Sequence, residues 1–78
     1  MKLIVLNLPR DFSEDDLAKL FKSYGNIKAC NLVMDDRTGT SKGFGFVEMA
    51  LEHEAKAAIA ALHGSRLKKN RIRVNPAS

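Results

Sequence analysis

The chain has 78 residues, 45% hydrophobic and 28% charged, with a formal net charge of +4. That length holds one domain, residues 1–78, which buries only about 60% of the surface its unfolded form exposes, so a thin core is expected. The apolar fraction excludes a disordered tail, and the single cysteine, Cys30, excludes an internal disulfide and a cysteine-based zinc site. No apolar run is long enough to span a bilayer and no signal peptide opens the chain, so a reduced, intracellular and cytoplasmic setting is expected, with the nucleus left open.

Lys2 to Leu8, aliphatic and β-branched and closed by Pro9, reads as a strand apolar on both faces, hence central in a sheet. Leu3 and Val5 are expected on the core side, Ile4 and Leu6 on the other. Ser13 reads as the N-cap of a helix, with Asp16 completing a capping box and Phe12 and Leu17 forming a hydrophobic staple. Leu17, Leu20, Phe21 and Tyr24 make its buried stripe, and Gly25 is expected as the C-cap. Glu14, Asp15 and Asp16 are accounted for by the positive end of the helix dipole, which speaks against a catalytic acid pair.

Ile27 to Met34 reads as a second strand in which Ile27, Cys30 and Leu32 point inward. That spacing requires a bulge near Ala29. Cys30 is read as a small buried hydrophobe. Asp35 to Ser41 is a turn-rich connection, with Arg37 read as solvated or touching a ligand. Lys42 to Met49 alternates as a third strand: Gly45, Val47 and Met49 on the core side, Phe44, Phe46 and Glu48 on the other. Glu52 to Leu62 is a second helix with a stripe of Ala55, Ala58, Ile59 and Leu62, and Gly64 as its C-cap. His53 and His63 are too far apart for a shared metal. Leu67 begins a short extended piece, Lys68-Lys69-Asn70 turns the chain, and Arg71 to Asn75 is the last strand. Ile72 and Val74 face in there; Arg71, Arg73 and Asn75 face out.

The order strand, helix, strand, strand, helix, strand is the split βαβ, ferredoxin-like βαββαβ arrangement. It is an α+β sandwich in which two helices cover one face of a four-stranded antiparallel sheet. The other face is left carrying Ile4, Leu6, Phe44, Phe46, Asn31, Arg71 and Arg73, with Lys2 and Lys42 near its edges. Two rings on an open face need a cover: a second core layer, or a flat ligand stacked on them. Acids cluster early (Asp11, Glu14, Asp15, Asp16) and bases late (Arg66, Lys68, Lys69, Arg71, Arg73). Such segregation fits an acidic and a basic surface, and equally two solvated faces. Rings flanked by cations suit single-stranded nucleic acid, since bases stack and phosphates pair with Lys and Arg.

Lys42-Gly43-Phe44-Gly45-Phe46-Val47 resembles, position by position, the octamer of the RNA recognition motif family; Met49 departs from it at the final aromatic position. The run ending Asn7-Leu8 resembles the family's second motif, with Ile4 where a ring is usual. The resemblance covers the whole chain and implies strand order 4-1-3-2. It also implies single-stranded RNA binding in post-transcriptional regulation, with Phe46 stacking under a base, Phe44 against two sugars and Lys42 on a phosphate. Arg71, Arg73 and Asn75 hold last-strand positions where relatives contact nucleotides. Lys69 stands where relatives often have glycine.

The expected RNA-binding set is Lys2, Ile4, Asn31, Lys42, Phe44, Phe46, Arg71, Arg73 and Asn75. No catalytic residues, metal, small-molecule cofactor or membrane partner are expected, and the chain is expected to be a monomer. RNA over single-stranded DNA rests on the resemblance alone. Two readings stand beside it. One is a protein–protein interaction module using the same apolar face. The other is an enzyme on the same scaffold, for which no nucleophile–base constellation is visible.

Overall fold

A computed structural model describes residues 1–39 and 41–77. Its elements are β1 (Lys2–Leu6), α1 (Glu14–Lys22), β2 (Ile27–Met34), β3 (Ser41–Met49), α2 (Glu52–Leu62), β4 (Arg66–Leu67), β5 (Asn70–Arg71) and β6 (Arg73–Pro76). The main sheet is antiparallel in the order β2-β3-β1-β6, and β4 and β5 form a separate two-stranded ribbon. With β6 as the fourth strand of the main sheet, this is the expected ferredoxin-like order. Thr40, within the expected turn-rich connection, lies outside the described residues, as does the terminal Ser78.

The core fills the space between the sheet and the helices. Leu3 and Val5 of β1, Val47 and Met49 of β3, Ile72 and Val74 are fully buried against Leu17 and Phe21 of α1 and Ala55 and Ala58 of α2. Gly45 lets α1 and β2 close onto β3. A Cβ there would lie 2.7 Å from the Asn31 carbonyl oxygen and 3.0 Å from Leu17 Cδ2. Among the described residues no helix is long and apolar enough to cross a membrane.

The α1 start follows its sequence. Ser13 Oγ accepts the Asp16 N–H (3.0 Å), and Asp16 Oδ2 accepts the Ser13 N–H (3.1 Å). Hydrogen bonding from Ser13 to the Asp16 carboxylate, from the Ser13 backbone N–H foremost and then from its side chain, holds that carboxyl below its usual range. The far end differs from expectation: α1 stops at Lys22 with Ser23 as the C-cap. Gly25 instead leaves room for the Glu54 side chain of α2, whose carboxylate accepts the Asn26 N–H at 3.3 Å. The bulge expected near Ala29 is present, as a register shift between Ile27 and Ala29.

The last strand differs too. Instead of running unbroken from 71 to 75, the chain leaves the sheet at Ile72, whose N–H donates to Ser65 O and whose carbonyl accepts the Gly64 N–H. Arg71 therefore belongs to the ribbon, while Arg73 and Asn75 belong to the main sheet. Lys68, not Lys69, takes the positive φ (54°) at the ribbon's turn.

Candidate nucleic-acid interface

The face of the sheet away from the helices is set by strand register. Asn75, Ile4, Phe46 and Asn31 lie side by side across β6, β1, β3 and β2. Arg73, Leu6 and Phe44 make the next row, and Lys2 lies opposite Glu48 in the row on the other side. Of the expected residues, the register thus gathers Ile4, Phe44, Phe46, Asn31, Arg73 and Asn75 into two adjacent rows, with Lys2 beside them. Arg71 stands off the sheet in the ribbon. Lys42 is exposed just before a bulge in β3, where Gly43 takes φ 88°, a left-handed conformation that a side chain would strain.

The two rings are partly exposed and meet edge to face, with centroids 6.3 Å apart and planes at 83°. One ring can therefore lie under a planar ligand while the other presents its edge. Lys2 Nζ sits 4.9 Å from the Phe46 centroid. The sequence does not announce this pairing, since it runs along a diagonal between strands. At an exposed site it is worth about 0.5–1 kcal/mol, so a flat ligand on that side of the Phe46 ring would have to displace the ammonium.

Arg71 and Arg73 are exposed, and among the described residues neither guanidinium has an ion-pair partner. The Cys30 thiol is partly buried, burial raises its pKa above the ordinary thiol value, and its S–H points at Glu14 O (3.7 Å). Arg37 is exposed on the β2–β3 connection, where its N–H donates to Asp35 Oδ1 at 2.9 Å.

Two residues that shape this end of the sheet do not stand out in the sequence. Asn7 ends β1 with φ 62°, and its side-chain N–H donates to Arg71 O at 2.8 Å, tying the ribbon to the sheet. An asparagine closing a strand before Leu-Pro is a usable signal, because Asn tolerates that conformation. His63 Nδ1 accepts the Val74 N–H at 3.1 Å, which covers the outer edge of β6. No local pattern announces that bond, which joins residues from different elements.

The profile of the RNA recognition motif family matches residues 3–73, and the chain belongs to that family. It is 43% identical to the putative RNA-binding protein RbpA of Synechocystis over 99% of this chain and 76% of that protein. It is 46% identical to glycine-rich RNA-binding protein 1 of Mycosarcoma maydis, covering 44% of it, and 43% identical to the chloroplastic RNA-binding protein CP31B of Arabidopsis thaliana, covering 26% of it. The chain thus spans less than half the length of several of its curated relatives. Among solved structures it matches the Sex-lethal protein in an RNA complex, with a TM-score of 0.94 at 35% identity over 99% of this chain and 46% of that one.

Proposed function

We propose that this chain binds single-stranded RNA across the open sheet face. The observation that carries the reading is the row Asn75–Ile4–Phe46–Asn31, with Phe44 beside it and unpaired cations at its margin. A base stacks on Phe46 after displacing Lys2, and Phe44 packs against the sugars. Lys2 and Lys42 take the phosphates beside the rings, Arg71 and Arg73 stand further out where only a longer RNA reaches them, and Asn31 and Asn75 offer hydrogen bonds to base edges. Ile4 contributes apolar surface without a π-face, so the base above it is held less firmly. The relatives named as RNA-binding proteins, and the Sex-lethal complex, support RNA as the nucleic acid.

The role is recognition rather than catalysis, in post-transcriptional control, by residues 1–78 acting as one monomeric domain without a cofactor. A cytoplasmic setting fits the lone thiol, although some relatives are chloroplastic. The test is an amide chemical-shift titration with pools of short single-stranded RNA. Shifts should concentrate on residues 2–8, 43–49 and 71–75. Shifts confined to the helices would instead mark a protein-binding use of the fold.

A further inference from the structure

At the end of the sheet where β1 meets β6, a cleft of about 600 Å³ opens beside the second row of the open face. Leu6, which lies between Phe44 and Arg73 in the register, forms part of its wall together with Ile72. Its polar lining comes from Asn7, His63, Arg71 and Arg73, with no carboxylate among the lining residues. The two guanidiniums are uncompensated among the described residues, and the Asn7 side chain holds the Arg71 backbone in place. A backbone N–H can only donate, so the bond from Val74 requires an unprotonated Nδ1 on His63. The neutral ring then carries its proton on Nε2. That N–H has no partner among the described residues, and the ring lines the cleft. The space is larger than a phosphate needs and falls in the range that takes a small organic ligand, ~300–1,000 Å³.

We propose that this cleft is a subsite for one further nucleotide of the bound RNA, lying off the edge of the sheet. Arg71, Arg73 and the Nε2–H of His63 hold its phosphate, and Leu6 contacts its apolar part. The subsite rests on the RNA-binding reading, and it extends the RNA path beyond the ring platform. Planar guanidiniums engage phosphate oxygens through paired N–H donors, and His63 adds a donor whose direction is fixed by Val74.

The test titrates the isotope-labelled chain with a uridine trinucleotide and a uridine hexanucleotide, following the Phe44 and Phe46 rings, the His63 imidazole nitrogens and the Arg71 Nε–H. The trinucleotide should move the rings alone; the hexanucleotide should move all four side chains and bind about five- to tenfold more tightly. His63→Ala should bind the trinucleotide within about twofold of the parent and lose most of the gain from length. Because that variant also uncovers Val74, its fold is checked in the amide spectrum. Arg71→Ala, which keeps the Val74 bond, must lose the same gain. If the rings respond while His63 and Arg71 stay still with the hexanucleotide, the subsite is wrong and the platform stands. If the rings respond to neither oligonucleotide, the platform reading fails and the subsite with it.

Discussion

The two faces of β3 are built from similar material and end in different states. On one, Val47 and Met49 are fully buried and Gly45 lets α1 and β2 close down. On the other, Phe44 and Phe46, larger and more apolar than much of the core, keep part of their surface in water, and the charge over Phe46 is the ammonium of Lys2. The fold satisfies the first face from its own helices and leaves the second to be completed from outside. Apolar content therefore does not separate a core residue from a binding residue; what separates them is whether the chain supplies the layer above.

The largest test of this contrast is on the closed side. Phe21, fully buried on α1, should cost about 3–5 kcal/mol of stability as Phe21→Ala, read from urea unfolding. For a chain of this length, with a total of roughly 4–12 kcal/mol, that brings the variant near the edge of folding. A change of under ~1 kcal/mol would mean the helix layer is not the packed side.

On the open side, Ile4 lies opposite Phe46 on β1 and offers no ring. Ile4→Phe should tighten binding of a short uridine-rich RNA by about 1 kcal/mol with little change in stability, since aromatics suit strands and the position is only partly covered. Unchanged binding by the folded variant would mean that no base passes over β1.

A smaller effect separates charge from stacking. With about three or four phosphates bound, the log–log dependence of affinity on salt should have a slope near −2 to −3. Lys42→Ala should make it shallower by somewhat less than one unit. A flat dependence would point to an apolar protein partner on this face.

The smallest effect is again on the closed side. Asp16 has its folded pKa held below the unfolded value of 3.8 by the capping box, so its ionised form favours the fold. That contribution is complete above the unfolded pKa and is lost as the pH falls through the folded one. Thermal unfolding from neutral pH down to strong acid should therefore show Asp16→Asn losing less stability in acid than the parent, with no change in RNA affinity at neutral pH.

Much of this arrangement is legible in the sequence, because it rests on local rules. Ser13 and Asp16 mark the start of α1, the alternation of 44–49 assigns both faces of β3, and the spacing of Ile27, Cys30 and Leu32 demands the bulge that occurs. What the sequence misleads about depends on distant groups. Gly25 has the look of a helix cap, but its place is set by Glu54 of the other helix. The last strand reads as continuous by alternation, yet Ser65 and Gly64 draw the Ile72 peptide groups out of the sheet and leave Arg71 in the ribbon. Of the site, the rings and their rows can be anticipated, and so can the left-handed turn at Asn7; Lys2 over Phe46, the bond from Asn7 to Arg71 and the role of His63 follow from long-range geometry that no local pattern encodes.

The most direct test of the central claim is the double variant Phe44→Ala, Phe46→Ala, measured for RNA affinity and unfolding free energy in the same buffer. Both rings lie on the face away from the helices, so the chain should stay folded while binding weakens by about 1–3 kcal/mol for each base deprived of its ring. A double variant that unfolds would show the rings to be part of the core. One that folds and binds RNA as tightly as the parent would show that the open face is not where RNA is held.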